Sequence, residues 1–362
     1  MTIGVDVSKD TLDHCTPDGH PSQIKNCLRP VKRFLATLPA GTTLAMEATG
    51  RFHRLLADTA YAMGFTVIVL NPKDMSRYAK SVSPRATTDP ISARLIAEFA
   101  SVRKHRTYTP APAFADKLKN IVRTRAGLVK QRVAIANQAS QHRDIASYLR
   151  AATASINRSI EKLDRQIVEI AQSLPEFQLF KQTKVPGFGD LTTAYMIALL
   201  ASGEFRRSDS FVAFIGLDLR VRDSGKHKGK RKLSKRGDPE ARRLLYMAAL
   251  AASQQPGPFA ALRARYLEAG FSKTEAIVFI ARKLARVAWA IYTKRQPYNE
   301  HRVLNQHGDA AVATQTTINY AAPCPHDKEI ANQVIRQARI KRSIHNQVEQ
   351  PRPTYQTTQR AT

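Results

Sequence analysis

The chain has 362 residues, with 57 Lys and Arg against 29 Asp and Glu and a formal net charge of +28. That excess calls for a polyanionic partner, most simply nucleic acid, because each cation docked on a phosphate releases condensed counterions. Three cysteines without a CxxC pair exclude a disulfide framework and a structural zinc site, and no apolar run approaches the roughly 20 residues of a membrane span.

The length suits two or three domains. The first residues enter a strand pattern at once, with no basic stretch and apolar h-region, so a reducing cytoplasm is the expected compartment and no membrane is expected as a partner. Residues 3–7 read as a strand and residues 11–15 as a second, with turn chemistry at Lys9-Asp10 and Pro17-Asp18-Gly19. A third strand is expected over residues 23–28. Val31, Phe34, Leu35 and Leu38 then recur at helical spacing. Residues 43–48 form the next strand, and a helix through Leu55, Leu56, Ala60 and Met63 stops at Gly64. Residues 65–70 are nearly all apolar, as in a strand covered on both faces. A helix beginning at Ile91 follows Asp89-Pro90. Three strands in series, then alternating helix and strand, give a mixed sheet with flanking helices over residues 1–107, the order of the ribonuclease-H-like fold.

Closely spaced prolines in Tyr108-Thr109-Pro110-Ala111-Pro112 mark a boundary. Residues 113–175 then predict two long helices. Ile156, Ile160, Leu163, Ile167, Ile170 and Leu174 form a coiled-coil seam. Leu118, Ile121, Leu128 and Ile135 form a looser stripe, with Arg125 and Arg132 on the same side. The expectation is a hairpin that also dimerises, with purely intramolecular packing as the alternative. Residues 176–298 read as a mainly helical domain. It opens with a helix-hairpin-helix-like turn, Val185-Pro186-Gly187-Phe188-Gly189, before a helix over 191–200. Gly187 and Gly189 there would let backbone N–H groups meet a phosphate, although such turns also join helices without any ligand. A short apolar element spans 211–217, and further helices are expected over 241–253, 258–270 and 273–294, with Asp238 as a cap and Pro239 at a first helical position. The polar tail, 299–362, is expected to be disordered or partner-dependent.

Charge is unevenly placed. Residues 1–90 carry 11 Lys and Arg against 8 Asp and Glu, while residues 220–243 carry 11 against 3. Lys226, Lys228, Lys230, Arg231, Lys232, Lys235 and Arg236 fill one run, with Arg242 and Arg243 following, and all nine are candidate nucleic-acid contacts. Two serines, Ser224 and Ser234, lie in the same run. A serine in such a loop is commonly a phosphate hydrogen-bonder.

Asp6 and Glu47 interrupt apolar strands, and Asp89 stands at a helix start. A carboxylate inside a buried strand is costly unless it is paired or holds a metal. Acids in these three contexts suit a Mg²⁺ site (Mn²⁺ being the other candidate) for phosphodiester chemistry. The structural alternative is a strand end, a helix cap and an ordinary N-cap. Asp10 and Asp13 read as solvent-facing. Arg51 and His53 read either as phosphate contacts or as an exposed helical turn.

Several runs together resemble one family. They are Gly4-Val5-Asp6-Val7-Ser8-Lys9, Met46-Glu47-Ala48-Thr49-Gly50, Asn71-Pro72, Thr88-Asp89 and Ser92-Ala93-Arg94-Leu95-Ile96-Ala97-Glu98. Later come Val185-Pro186-Gly187-Phe188-Gly189, Phe211-Val212-Ala213-Phe214-Ile215-Gly216-Leu217, Ser224-Gly225 and Leu233-Ser234-Lys235-Arg236-Gly237. In this order they resemble the DEDD transposases related to the Piv invertases, the bridge-RNA-guided recombinases of the one-ten and eleven-eleven insertion-sequence types. The resemblance implies a bacterial, nucleoid-associated enzyme with a RuvC-like domain, a coiled coil and a transposase domain bearing a nucleophilic serine. It implies Mg²⁺ at Asp6, Glu47 and Asp89, with Ser92 where the family has a fourth acid. It implies Ser224 as nucleophile with Ser234 as runner-up, and a covalent phosphoserine that conserves bond energy. Target DNA, donor DNA and a structured noncoding guide RNA would be the partners of a homodimer or homotetramer in which acids and serine meet across subunits. Two other functions remain open on the residues alone: a RuvC-type structure-selective endonuclease, and a non-catalytic RNA- or DNA-binding protein.

Overall fold

The computed structural model describes residues 1–15, 20–82, 89–142, 144–220, 223–224, 227–228 and 232–304, with the backbone alone at 89–91, 220, 223–224, 227–228, 302 and 304. The chain divides into two compact units, Met1–Pro112 and Ala113–Thr362.

The first unit is built on a five-stranded sheet. Its strands are β1 (Thr2–Val7), β2 (Thr11–Cys15), β3 (Pro21–Lys25), β4 (Thr43–Glu47) and β5 (Thr66–Leu70). Their order across the sheet is β3-β2-β1-β4-β5. The β1–β2 and β2–β3 pairs are antiparallel, whereas β1–β4 and β4–β5 are parallel. This mixed order is the one expected of a ribonuclease-H-like sheet and is consistent with a RuvC-like domain. Strand alternation deals the side chains onto two cores. Val5, Leu44, Met46 and Val67 meet Val31, Phe34 and Leu35 of α1 (Leu28–Ala36) and Leu56 of α2 (Arg54–Ala62). Ala45, Ile68 and Leu70 face the other way, onto Met75 of α3 (Pro72–Val82) and Leu95, Ile96 and Phe99 of α4 (Asp89–Val102). After α4 the chain returns to the sheet edge, where the Tyr108 N–H donates to Val67 O at 2.7 Å.

Two readings of this unit need correction. The third strand ends at Lys25, and Leu28 already opens α1. The helix α3 was not expected; proline at its first position and Asp74 in its first turn are the signals that mark it.

The second unit is helical. Its helices are α5 (Ala113–Gln141), α6 (Ala146–Gln172), α7 (Pro175–Thr183), α8 (Asp190–Ala201), α9 (Ser208–Phe214), α10 (Pro239–Gln254), α11 (Pro258–Glu268), α12 (Lys273–Lys294) and α13 (His301–Leu304). The centre is α8, buried at every residue from Thr192 to Leu200, as befits a helix that is apolar all round. Helices α5 and α6 pack along one another as a hairpin. Ala115, Leu118 and Val122 of α5, with Ile167 and Ala171 of α6, enter the core around α8. Further out, Arg125 reaches Asp164, with Nη2 donating to Oδ2 at 3.0 Å, and Arg132 Nη1 donates to Asn157 Oδ1 at 3.2 Å. Within the seam, Ile160 and Ile167 are already buried inside the single chain.

The basic run is not a plain loop. It holds two short antiparallel ladders, β6 (Leu219–Arg220) with β9 (Lys232–Leu233), and β7 (Asp223–Ser224) with β8 (His227–Lys228). Among the described residues no helix is long and apolar enough to cross a membrane. Cys15 and Cys27 are free thiols. The tail beyond Leu304, with Cys324, lies outside the described residues.

Candidate active site

Parallel pairing puts Val5 opposite Met46, so Asp6 and Glu47 follow side by side at the carboxyl ends of central strands. Both point away from the Val5–Met46 core. Gly4, two residues before Asp6 on the same face, supports α4 directly: a Cβ there would lie 2.0 Å from Ala93 O and 2.6 Å from Ala97 N. The other acid's neighbour, Ala45, lies in the core made with Leu95, Ile96 and Phe99. The two carboxylates therefore share the sheet face that α4 covers. Each is half-buried, and they act on one another: burial first, then the Asp6 charge, pushes the Glu47 carboxyl above its ordinary value. A divalent cation is the natural complement of two such oxygens, each of which disfavours the other's charged form.

Asp89 is the first residue of α4; its side chain lies outside the described residues. Ser92 is three residues further on, half-buried, and is followed by the Ala93–Ala97 stretch that rests on Gly4. Among the described residues no three His, Cys, Asp or Glu side chains form a metal-binding group, leaving Asp6 and Glu47 as the described pair. Glu98 is exposed and accepts the Tyr78 hydroxyl at 2.6 Å.

Asp13 is solvent-facing only in part. It pairs directly with Asp6 across the β1–β2 ladder, is half-buried, and accepts from Gln23 Nε2 at 2.8 Å. The signal was present in the sequence. A two-residue turn at Lys9-Asp10 fixes the register, and opposed residues of an antiparallel pair share a face. His53 is also not an exposed residue. It is half-buried at the cap position of α2, its Nδ1 has no hydrogen-bond partner, and burial, then the Arg54 charge, lowers its pKa. Arg51 is exposed.

In the second unit the two candidate serines differ. Ser224 ends β7 and pairs with His227 of β8; its side chain lies outside the described residues. Ser234 is buried, at 8% exposure. Its hydroxyl donates to the Asp218 carboxylate and accepts the Arg236 N–H at 3.4 Å, while its own N–H donates to Asp218 O at 2.8 Å.

The root of the basic run is clamped. A Cβ on Gly237 would lie 2.1 Å from Phe214 O, and one on Gly216 would lie 2.6 Å from Gly237 N, so two backbone segments meet without side chains between them. Arg242 Nη1 donates to Ile215 O at 3.0 Å and Gly237 O at 2.8 Å. Next along, Asp238 caps α10 through Ala241 N at 2.9 Å. It also accepts from the Tyr195 hydroxyl at 2.9 Å and from Arg123 Nη2 at 2.5 Å. Burial works against the Asp238 charge, but the Arg123 guanidinium, the Ala241 N–H and Tyr195 outweigh it and hold its pKa below the ordinary carboxylate value.

Of the expected nucleic-acid contacts, Lys232, Lys235 and Arg236 are exposed. Lys226, Lys230 and Arg231 lie outside the described residues, as does the Lys228 side chain. Arg242 is turned inward by the two carbonyls just described. Arg243 is bonded to Glu240 of its own helix, with Nε donating to Oε2 at 2.9 Å. Gly187 serves packing, because a Cβ there would lie 2.0 Å from Ala248 O of α10. Gly189 is exposed at the start of α8, with nothing within 4 Å of where its Cβ would be.

Two family models match the chain. A DEDD model of IS110 type, described as a transposase, matches residues 3–148, and a model described as transposase IS116/IS110/IS902 family matches residues 182–265. The chain is similar to a pilin gene-inverting protein of Moraxella lacunata, 25% identical over 316 residues covering 82% of this chain and 97% of that protein. It is 26% identical over 328 residues to the transposase for insertion sequence element IS1328 of Yersinia enterocolitica, covering 81% and 96% of the two chains. The transposase for IS1111A of Coxiella burnetii is 25% identical over 339 residues, covering 82% and 90%.

Proposed function

Because the chain belongs to the IS110-type DEDD transposases of insertion sequences, we propose that it exchanges DNA strands through a covalent phosphoserine on Ser224, assisted by a divalent-metal site at Asp6, Glu47 and Asp89. The observation that carries this reading is the pairing of Asp6 with Glu47 under α4, where each carboxylate disfavours the other's charge. A Mg²⁺ or Mn²⁺ ion held there would supply Lewis acidity to a phosphate and stabilise the charge on the departing oxygen.

The protein's own groups do the rest. The Ser224 Oγ attacks phosphorus as its proton leaves. The new O–P bond replaces the P–O bond to one strand, whose freed oxygen takes a proton. An oxygen of the incoming strand then attacks the phosphoserine and returns the hydroxyl, so the number of phosphodiester bonds is unchanged and no ATP is needed. Exposed cations such as Lys235 and Arg236 favour the charge that builds on the phosphate. Ser234 is the weaker candidate, because its hydroxyl is buried and already held by Asp218.

We also propose that a structured noncoding RNA pairs with target and donor DNA, and that copies assemble as a dimer or tetramer through the α5–α6 hairpin as a coiled coil. The +28 charge supports a large nucleic-acid partner. The open start of α8 at Gly189 supports the helix-hairpin-helix-like reading. Sequencing RNA that co-purifies with the protein tests the guide.

The serine is tested by stopping the reaction in denaturant and identifying the peptide joined to DNA. An adduct on Ser224, absent in Ser224→Ala while DNA affinity stays nearly unchanged, is the expected result. An adduct on Ser234 moves the nucleophile ten residues along the same run. No adduct on either serine removes the recombinase mechanism and leaves a metal-dependent endonuclease.

A further inference from the structure

The outer end of α9 carries an aromatic group that the fold does not use fully. Phe211 is buried and Phe205 is half-buried, whereas Phe214 is 41% exposed. Its ring meets Phe205 edge-on with centroids 5.1 Å apart and stacks over Phe211 at 6.5 Å. One side of the ring is thus braced and the rest is open. The Phe205 carbonyl is itself fixed by the Trp289 indole N–H at 2.8 Å.

The backbone at the end of α9 adjoins a cationic segment. Gly237 abuts the Phe214 carbonyl, which brings exposed Lys235 and Arg236 beside the end of α9. Lys235 adopts a left-handed backbone (φ 51°) with its N–H on Gly216 O at 3.2 Å. A non-glycine residue in that region is strained and persists only where its surroundings impose it. Here the Gly216–Gly237 contact and the Arg242 bonds impose it.

We propose that Phe214 is a stacking platform for an unpaired nucleobase, with Lys235 and Arg236 taking the flanking phosphates. A braced aromatic face with cations on an adjoining, fixed backbone is the arrangement by which proteins bind single strands without reading their sequence. Cations select a polyanion, and the open ring selects one whose bases are unstacked, which excludes intact duplex. Exchange between two duplexes must expose such bases, so the inference rests on the strand-exchange reading above and adds the class of ligand.

The test uses the full chain and single-stranded DNA and RNA oligonucleotides carrying 2-aminopurine. The parent should bind them and alter the probe's fluorescence by stacking. Phe214→Leu, which still covers Phe205 and Phe211, should bind about ten-fold or more weakly and lose the fluorescence change, with the salt dependence unaltered. Phe214→Tyr should restore both. Lys235→Gln should instead lower the slope of log affinity against log salt by about one and leave the fluorescence change intact. Comparing the DNA and RNA arms identifies which strand the platform takes. Parent-like binding and fluorescence in Phe214→Leu would overturn the platform while leaving the transposase mechanism standing. Unchanged binding with a lower oligomeric mass would overturn it in favour of a protein interface. A parent that binds no single strand at all would overturn it from the side of the nucleic-acid reading itself.

Discussion

Glu47 and Asp6 occupy adjacent strands at one level of the sheet, where burial and mutual repulsion both oppose two full charges. A cation relieves that repulsion, so each acid should matter to catalysis more than to folding. Asp6→Ala, Glu47→Ala and Asp89→Ala are each expected to lower DNA cleavage by about 100-fold or more without lowering the melting temperature. Full cleavage in EDTA would dispose of the metal site. Ser92, half-buried in the first turn of α4, offers a neutral hydroxyl where a fourth carboxylate would add charge. Ser92→Asp is therefore expected to tighten Mn²⁺ binding measured by calorimetry. Weaker binding in a folded variant would mean that the pocket is built around the hydroxyl.

At the scale of elements, α4 is placed by the absence of a side chain. A methyl group on Gly4 would lie 2.0 Å from the Ala93 carbonyl oxygen, far inside van der Waals contact, so the helix must lift or the strand must bend. Gly4→Ala should cost about 3 kcal/mol or more in the denaturant unfolding of the first unit, with cleavage lost as well. A parent-like midpoint would show that α4 can shift without cost. The start of α10 is placed instead by charge. Asp238 is at once a helix cap, the partner of Arg123 on α5 and the acceptor for Tyr195 on α8. Asp238→Asn should destabilise the second unit by about 1–3 kcal/mol at neutral pH. Because its folded pKa is depressed, the Asp238 contribution is present above the ordinary carboxylate value of 3.8 and fades as pH falls through the lower folded value. The stability gap between parent and variant should accordingly close in acid, and a gap that persists there would assign the effect to packing. These elements were not equally legible in the sequence. The sheet, α4, α8 and α12 follow from long apolar periods and clear caps. The ladders inside residues 219–233 carry almost no apolar pattern, since eight of the fifteen positions are charged. Gly187 and Arg242 look the same in sequence whether they meet a phosphate or a neighbouring carbonyl, and only packing separates the two. The Asp6–Asp13 pairing was readable from strand alternation, yet isolated acids near a turn read first as solvated.

On the scale of the whole molecule, the seam of α6 serves its own chain at Ile160 and Ile167. Ile167→Asp would strike the core around α8, so it reports on folding. Leu163 is half-buried between them and is the better probe of assembly. Leu163→Asp should lower the mass of the parent oligomer in sedimentation while leaving helicity unchanged; the parent mass would confine the seam to one chain. The division of the chain after Pro112 also bears on how the protein is made. The carboxylates belong to the first unit and both candidate serines to the second. A ribosome extrudes the first unit, with cores of its own, before the second unit is complete, and such units fold as they emerge. On the proposed mechanism, a chain that stops between Pro112 and residue 224 therefore keeps the carboxylates of the first unit but lacks the group that would join it to DNA. Such a product could not form the covalent link of the proposed mechanism, and strand exchange would wait on completion of the second unit.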